Sequence, residues 1–368
     1  MTTRRNFIKQ AVVAGVASSI LPHHLFAQEK PVQDMIWANL LHLSYNMWQD
    51  HIPFKYRDSE YNCTNCLDTV SWAIGYRPYL TFDETVWNTL LIDMAAAGMN
   101  MVVIDLGDAV LYDSHPEIAV RDAWTPEKLK SELGKMRKLG LEPIPKLNFS
   151  TSHDIWLGEY SRMVSTKKYY EVCRNLIHEV IDLFDTPRFF HLGMDEERAN
   201  NQRAYDYAIV RQNDLWWGDL YFFIGEMEKK SVRSWIWSDY AWYRPEIFFK
   251  KMPKSVIQSN FFYLESYDMQ YYAEIYDQET CEEIERQMGL YQKLEAKGYD
   301  QIPTGSNWDR DTNMEATVDY CKEAIHPSRL LGFMMAPWFP TLSPCLGKHQ
   351  DAIKQTGRVI QKFNKNAD

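Results

Sequence analysis

A short apolar run at residues 189–197 ends in three consecutive acidic side chains, and reads Phe-Phe-His-Leu-Gly-Met-Asp-Glu-Glu. A run of this length predicts a buried strand, and acidic residues at its end lie at the mouth of whatever the strand helps to enclose. There Asp195 and Glu196 could provide a proton donor beside a fixed negative charge. Carboxylates also start helices, where they cap free N–H groups, so a capping role stays open.

The rest of the chain alternates between strand and helix patterns without a linker or a low-complexity segment. Eight stretches predict strands, at 37–47, 99–106, 141–147, 188–192, 232–237, 255–261, 301–304 and 330–336. Helical patterns lie at 83–97, 126–139, 167–184, 215–230, 279–297 and 313–324, with a short one after Tyr243 and a last one at 349–363. Because the strands alternate with helices and no Gly-rich phosphate-binding turn is present, the pattern favours an α/β (β/α)8 TIM barrel over an open sheet.

In such a barrel the active site lies at the carboxyl ends of the strands, so residues at strand ends are the candidates for function. Polar and aromatic side chains recur at six of these ends. Besides His191, Asp195 and Glu196 of strand four, they are Asn148, His153, Trp237, Asp239, Tyr263, Trp308 and Trp338. Together they predict an acidic cleft lined by tryptophan, which suits sugar rings. Taken singly, each Trp is as readily explained by packing, and His191 by a hydrogen-bonded buried histidine.

The first 27 residues have the pattern of an export signal. The pair Arg4-Arg5 precedes an apolar segment at 11–21, and Leu-Phe-Ala at 25–27 fits a cleavage site. This pattern is typical of twin-arginine export and predicts a mature single-domain barrel at 28–368 that is periplasmic or secreted. Neither this segment nor any later one is long and apolar enough to span a bilayer, so no stable membrane insertion is expected.

Charge and composition narrow the partners of the mature chain. The full chain has a formal net charge of −10, and loss of residues 1–27 removes three basic residues and no acid, which leaves −13. An acidic chain argues against nucleic acid as a partner, because phosphate contacts need clustered Lys and Arg. Aromatic residues make up 14% of the chain. Their flat faces and polar edges are compatible with an oligosaccharide or glycoconjugate partner.

Six cysteines permit disulfides in an exported chain but do not define a pairing. The pair Cys63 and Cys66 has CxxC spacing, which fits a redox pair, half of a zinc site or a local disulfide. No second CxxC or nearby His pair completes a zinc site. The others are Cys173, Cys281 and Cys321, interpreted as small buried hydrophobic residues, and Cys345, which stays unassigned.

The segment His-Leu-Gly-Met-Asp-Glu at 191–196 resembles the His-x-Gly-Gly-Asp-Glu signature of family 20 glycoside hydrolases, the β-N-acetylhexosaminidases. Supporting pieces occur in the same order as in that family. The family's third-strand segment is similar to residues 140–148, Gly-Leu-Glu-Pro-Ile-Pro-Lys-Leu-Asn, followed by His153. Its fifth-strand segment is similar to Trp-Ser-Asp at 237–239, and its eighth-strand segment is similar to residues 332–338. The resemblance covers the whole barrel, roughly residues 35–365, but only the strand-four hexapeptide is specific.

The resemblance implies a retaining glycosidase without a cofactor. Glu196 would be the general acid, and Asp195 would orient the 2-acetamido group of the substrate, which attacks the anomeric carbon in place of an enzyme carboxylate. Burial beside the charge of Asp195 would raise the pKa of Glu196. Neighbouring residues at a strand end point apart, so these two acids need not share one site. His191 would position them.

The resemblance also assigns the remaining candidates, which bind or surround the sugar. Trp237, Trp308 and Trp338 would wall the pocket, while Asp239 or Tyr263 would bond sugar hydroxyls or the acetamide. Asn148 and His153 complete the expected binding set.

The chain departs from the family pattern at several positions. The family has an arginine at the end of strand one that grips sugar hydroxyls, and residues 41–48 contain none. Met194 replaces the second glycine of the signature, and Lys146 stands where the family has an acid. The small domain that usually precedes the barrel has no counterpart between the signal and strand one. These departures predict an altered sugar specificity.

Two other functional classes fit the same residues. His153, His191 and the nearby carboxylates Asp154, Asp195, Glu196 and Asp239 could hold a divalent metal, as in sugar isomerases and some hydrolases, although no tight His-x-His spacing supports this. A catalytically silent sugar-binding barrel is the other alternative, motivated by the missing arginine.

Overall fold

The computed structural model describes residues 35–56 and 63–365. Within them the eight strands, named β1 to β8, are Ile36–His42, Met101–Asp105, Glu142–Lys146, Phe189–His191, Arg233–Trp237, Ile257–Ser259, Thr304–Gly305 and Gly332–Met335. The helices α1 to α11 are Cys66–Ala73, Glu84–Ala96, Pro126–Lys138, Lys167–Leu183, Asp214–Glu228, Tyr240–Tyr243, Pro245–Lys251, Met269–Ala273, Gln278–Ala296, Met314–Ala324 and Leu346–Lys365. Short 3₁₀ turns lie at Phe54–Tyr56, Pro116–Ile118, Ile155–Arg162, Ala199–Gln202 and Ser343–Cys345.

The eight strands form one parallel sheet in the order β6-β5-β4-β3-β2-β1-β8-β7. Backbone hydrogen bonds close it into a barrel: Ile302 N donates to Gln258 O at 3.0 Å, and Thr304 N to Asn260 O at 3.0 Å. The (β/α)8 barrel expected from the sequence is therefore confirmed.

Alternation along the strands divides the core into two layers. Ile36, Ala38 and Leu40 of β1 belong to a cluster made only of strand and strand-end residues, which fills the barrel interior. Their neighbours Trp37 and Leu41 belong to a larger cluster that includes the buried faces of the helices. This period-two pattern places inward-facing residues at the carboxyl ends of the strands in the mouth of the barrel.

Local capping signals set where several helices begin and end. The Thr125 side chain accepts from Lys128 N, with Pro126 at the first helical position of α3, and the Asp83 side chain accepts from Thr85 N and Val86 N at the start of α2. Gly140 follows α3 at φ +77°, a left-handed conformation that glycine adopts without a Cβ penalty. These signals are short in range, which is why the predicted helix limits agree closely with those observed.

The main differences lie in the connecting segments and at strand seven. Helices α1 and α8 were not predicted, because both are short and lie in polar or tyrosine-rich sequence. Strand β7 has only two residues and begins where the predicted strand 301–304 ends. Gln301 still bridges to both Gln258 and Leu330. Here nonlocal pairing, rather than residue type, decides which residues count as strand.

One disulfide joins distant parts of the chain. Cys66, at the start of α1, pairs with Cys345, 279 residues later. The local-disulfide and redox-pair interpretations of the CxxC motif were wrong, because Cys66 pairs with Cys345 and Cys63 is free. Cys173 and Cys321 are buried as predicted, whereas Cys281 is only partly buried.

The expected export signal lies outside the described residues, so the division of the chain at residue 27 stays a prediction. Among the residues that the structure does describe, no helix has the length and apolar character needed to cross a membrane.

Candidate active site

A cavity of about 240 Å³ lies at the carboxyl ends of the strands. Segments that follow seven of the eight strands contribute to its lining, which is the position expected for an active site in this fold. The lining residues are Met47, Trp48, Asn148, His153, Asp195, Glu196, Trp237, Phe261, Tyr263, Trp308 and Trp338. Eight of the ten candidates chosen from the sequence are among them; His191 and Asp239 are not.

The two adjacent acids of the β4 end face the same cavity. His153 Nε2 lies 3.5 Å from Asp195 Oδ2 and 3.3 Å from Glu196 Oε2. The expectation that neighbouring side chains point apart was wrong, because Met194 and Glu196 adopt φ values of +70° and +54°. These left-handed conformations break the extended pleat and turn both carboxylates toward one imidazole.

Burial and mutual charge set the protonation of this trio. Burial favours neutral His153, but the charges of Asp195 and Glu196 outweigh it and raise the pKa of the imidazole. Burial raises the pKa of Asp195, against the charge of His153. Burial would raise the pKa of Glu196. The hydrogen bond and the charge of His153, together with the charge of Arg198, outweigh burial, so the pKa of Glu196 is lowered.

The expected raised pKa of Glu196 is therefore wrong. The effect of burial is present, but the imidazolium next to Glu196 holds its carboxylate in the charged form. The proton that a general acid needs is accordingly held on His153, 3.3 Å away. The Glu196 side chain is 33% exposed, whereas that of Asp195 is 8% exposed. Of the two acids, Glu196 is the one that a ligand can reach.

The loop after β3 holds the acids from one side. Asn148 Nδ2 donates to Asp195 Oδ1 at 3.1 Å, and Ser152 Oγ donates to the Glu196 carbonyl at 2.7 Å. Gly193 makes this approach possible, because a Cβ built there would lie 1.8 Å from Asn148 Oδ1. The first glycine of the strand-four motif is thus needed for close packing against Asn148.

Asp239 supports the acids from the β5 side but does not line the cavity. Its Oδ2 accepts from Glu196 N at 2.9 Å, and its Oδ1 has no hydrogen-bond partner in the described part of the chain. Burial and then the charge of Asp195 raise its pKa to about 8. The structure therefore places Asp239 behind Glu196, where it fixes the backbone of the acid.

His191 lies beneath the cavity. Its Nδ1 accepts from Gly193 N at 3.1 Å, and its ring packs 4.6 Å from that of Trp237. Burial, and secondly the charge of Lys146, lower its pKa, so the ring is neutral. This placement suits the positioning role expected for it and keeps it away from a bound ligand.

Aromatic rings form the walls. Trp237 and Trp338 lie 5.6 Å apart between ring centroids, and Trp48 packs edge-on against His153 at 5.0 Å. Trp338 Nε1 donates to Tyr263 Oη at 3.0 Å, which leaves the Tyr263 hydroxyl proton free to donate. The sequence had not singled out Trp48. Its place directly after the predicted first strand, residues 37–47, was the available signal.

A polar layer lies under the cavity where the strands end in register. His42 pairs with Asp105 across β1 and β2, and Asp105 with Lys146 across β2 and β3. Lys146 Nζ forms an ion pair with Asp105, and Lys146 is fully buried. The positively charged side chain of this polar layer is therefore that of Lys146, at the end of β3, and it is paired with Asp105. Among the residues that the structure describes, neither Arg nor Lys lines the cavity.

The residues considered for a metal site do not converge on one point. Among the described residues, the three side chains whose ligand atoms lie within 4.8 Å of one another are Asp50, His51 and Asp206, none of them in the predicted set. Asp50 is already paired with Arg162 Nη2 at 2.6 Å. The geometry of the strand-end residues is thus that of paired acids around one imidazole.

No family model matches this chain, and no curated protein matches its sequence. Solved structures match it by fold. A chitobiase of Flavobacterium johnsoniae described as a GH20 enzyme is 16% identical over 76% of this chain, with a TM-score of 0.52. Dispersin B is 15% identical over 76% of this chain and 95% of its own length, with a TM-score of 0.51. The GH20 β-N-acetylhexosaminidase of Streptomyces coelicolor A3(2) is 11% identical over 88% of this chain and 65% of its own, with a TM-score of 0.55.

The chain spans about half the length of several of these proteins, 46% of the Flavobacterium chitobiase and 58% of a Vibrio harveyi GH20 exo-β-N-acetylglucosaminidase. At such low identity the similarity shows a shared barrel fold. The resemblance to family 20 stated from the sequence is confirmed at that level.

Proposed function

We propose that this chain is a glycoside hydrolase that acts on an extracellular glycan as a retaining, N-acetylhexosaminidase-like enzyme. One observation carries the proposal: Asp195 and Glu196 face a single aromatic-walled cavity and both approach Nε2 of His153. The GH20 enzymes that share the fold support the same reaction class.

Glu196 is the general acid of the proposed reaction. It is the more exposed of the two carboxyl groups, and it has a proton source in His153 at 3.3 Å. A sugar in the cavity displaces water from around Glu196, which strengthens the effect of burial and favours its neutral form. The proton then passes from His153 to Glu196 and from Glu196 to the glycosidic oxygen as the C–O bond breaks.

Asp195 and Tyr263 interact with the acetamido group of the substrate in this proposal. In the proposed mechanism the acetamide oxygen attacks the anomeric carbon, and the cyclic intermediate carries positive charge that the Asp195 carboxylate stabilises. Asn148 holds that carboxylate at 3.1 Å. The free hydroxyl proton of Tyr263 is available for the acetamide oxygen before attack. No cofactor takes part in this scheme.

Trp237 and Trp338 provide the surfaces on which the sugar ring stacks. Trp237 Nε1 is buried and has no hydrogen-bond partner among the described residues. A cavity of about 240 Å³ is small enough that one sugar unit fills it. Recognition by rings and carboxylates, without a strand-one arginine, supports a specificity that differs from that of the family.

Export by the twin-arginine route remains part of the proposal. The pairing of Cys66 with Cys345 supports it, because structural disulfides are typical of exported proteins and rare in a reducing cytoplasm. A fusion of residues 1–27 to a reporter tests this part separately: transport should require both arginines of the pair.

The deciding experiment is a screen of aryl β-glycosides with and without a 2-acetamido group. We expect turnover of the acetamido substrates, and a loss of about 10³-fold or more in Glu196→Gln at unchanged melting temperature. Asp195→Asn should also abolish turnover of acetamido substrates while affecting other glycosides less. An exposed control, Glu246→Gln, should match the wild type.

Other results of these experiments would favour the sugar-binding barrel or the metal-dependent enzyme over the proposed hydrolase. Activity of Glu196→Gln close to that of the wild type would refute the assignment. Calorimetric binding of the sugars without any turnover would identify a silent sugar-binding barrel. Loss of activity in chelator, with recovery on adding a divalent ion, would favour the metal-dependent class.

A further inference from the structure

A second cavity, of about 290 Å³, lies next to the first. Part of its lining comes from the segments that follow β4 and β5, which also contribute to the first cavity. Asp195, Glu196 and Trp237 line the first cavity, while Arg198 and Asp239, from the same two segments, line the second. The two spaces therefore share the wall that follows β4 and β5. None of the functions assigned above uses the second cavity.

Two guanidinium groups in this cavity directly contact neutral side chains. Arg198 packs over the ring of Tyr243 at 4.3 Å, and Arg244 Nη1 donates to Asn213 Oδ1 at 3.1 Å. Within the described part of the chain, neither Arg forms an ion pair with a carboxylate within 4.0 Å. By contrast, Arg211 on the same wall is matched by Glu197 and by Asp219 Oδ2 at 2.8 Å. On a chain with net charge −10, two unmatched guanidiniums in one cavity form a local site for an anion.

Asp239 adds a buried polar group to the same lining. It is 4% exposed, and none of the described residues forms a hydrogen bond with its Oδ1. Because its pKa is raised to about 8, mainly by burial and then by the charge of Asp195, it is protonated at neutral pH. A carboxylic acid offers an O–H donor, and it does not repel an anion as a carboxylate would.

Aromatic groups complete the cavity in a way that suits a sugar. Trp216 stacks on Tyr240 at 4.4 Å, and both line the cavity. The indole Nε1 of Trp216 is buried and has no hydrogen-bond partner within residues 35–56 and 63–365. Rings beside guanidiniums match a saccharide unit that carries a carboxylate or a sulfate ester, since the ring faces contact the sugar and the guanidiniums bind its charged group.

We propose that this second cavity binds the anionic group of a uronic acid or sulfated sugar unit of the glycan whose bond is broken in the first cavity. The assignment rests on the proposed glycosidase function. Asp239 links the two sites, since its Oδ2 accepts the backbone N–H of Glu196 at 2.9 Å. A charged neighbouring sugar therefore binds directly behind the segment that carries the acid.

The test compares two disaccharides with the same β-linked N-acetylhexosamine, one on glucuronate and one on glucose. We expect the wild type to prefer the glucuronate compound by about tenfold in kcat/KM, mainly through KM, as for one charge-assisted hydrogen bond. The preference should shrink with added salt. Arg244→Gln should reduce it severalfold, Arg244→Lys should retain part of it, and the exposed control Arg121→Gln should not change it.

A binding arm keeps the result separate from that of the glycosidase proposal. Calorimetry on Glu196→Gln measures both disaccharides without turnover, and inorganic sulfate tests for a free anion. Tighter binding of the glucuronate compound, weakened by Arg244→Gln, supports the site even if neither compound is hydrolysed. Equal binding of the two compounds, or sulfate binding alone, overturns the proposal of a substrate-borne anion. Melting temperatures verify that each variant is folded.

Discussion

At the scale of single residues, one imidazole determines the character of the candidate site. His153 Nε2 lies between two carboxylates that are both brought into one cavity. The pKa of His153 is raised and that of Glu196 is lowered, so the proton that the pair shares resides on the imidazole. The acid that performs the proposed chemistry thus depends on its neighbour for its proton.

Replacement of His153 tests this dependence. In the wild type the shared proton is lost as pH rises through the raised pKa of His153, which sets the basic limb of kcat/KM. In His153→Gln the proton must be held by Glu196 alone, so the basic limb should move to lower pH and turnover at neutral pH should fall about 10²-fold. A pH profile of both proteins measures this. An unchanged basic limb would exclude His153 as the proton source.

A second residue-scale prediction concerns Asp154, which follows His153 directly. Asp154 is 1% exposed, and neither of its side-chain oxygens has a hydrogen-bond partner among the residues that the structure describes. Burial, opposed by the charge of Arg211, raises its pKa to about 8 from the ordinary 3.8. The folded state therefore binds a proton that the unfolded state releases, and this stability, full below about pH 4, is lost as pH rises to about 8.

Asp154→Asn removes this titration. We expect the variant to be more stable than the wild type at pH 8, by on the order of 3 kcal/mol, and to differ little at pH 4. Urea unfolding at both pH values measures the difference. The exposed Asp185→Asn is the control for loss of one charge. A variant that is no more stable at pH 8 would show that Asp154 is ionised in the folded protein.

At the scale of elements, the strand-four turn decides where the acids point. Gly193, Met194 and Glu196 all have positive φ values, and two of them are not glycine. Such conformations cost free energy and persist where packing fixes them, as the burial of Met194 does here. The turn is therefore held by its surroundings, above all by the loop that follows β3.

Gly193→Ala tests this element. Its Cβ would lie 1.8 Å from Asn148 Oδ1, and φ is +70°, so Asn148 must move away from Asp195. We expect a loss of stability of at least about 1–2 kcal/mol and a fall in kcat/KM of about tenfold or more. The control is Gly134→Ala in α3, where no atom lies within 4 Å of the new Cβ. It should stabilise the protein by about 0.5–1 kcal/mol. Full activity in Gly193→Ala would contradict the role given to Asn148.

At the scale of the whole molecule, the disulfide links the segments that follow the first and last strands. Cys66 follows β1 and Cys345 follows β8, and these segments also carry Trp48 and Trp338 of the cavity wall. A second tie runs from Tyr45 Oη to the Trp338 carbonyl at 2.7 Å. The disulfide and this hydrogen bond thus fix one side of the cavity by joining the segment after β1 to the segment after β8.

Removing the disulfide should loosen that side. We expect Cys345→Ser to lose about 2–4 kcal/mol of stability and to raise KM more than it lowers kcat. Thermal unfolding with and without reductant measures the first effect, and reductant should add nothing to the variant. Cys63→Ser is the matched control and should melt like the wild type. If Cys63→Ser destabilised the protein equally, the pairing of Cys66 with Cys345 would be contradicted.

The sequence by itself determined the order of strands and helices and the residues at the strand ends. Periodicity, caps and the acidic end of β4 are local patterns, and local patterns follow from backbone geometry. For this reason the sequence predicts the barrel, and eight of the ten candidates that it indicates do line the cavity.

Tertiary structure alone decided how those residues act on one another. The turn of Asp195 and Glu196 toward one imidazole, the lowered pKa of Glu196 and the place of Asp239 between two cavities all depend on contacts between segments far apart in the chain. The partner of Cys66 lies 279 residues away. Positive φ values in residues other than glycine, cross-strand ion pairs and desolvation are set by packing, and packing is not encoded in the spacing of neighbouring residues.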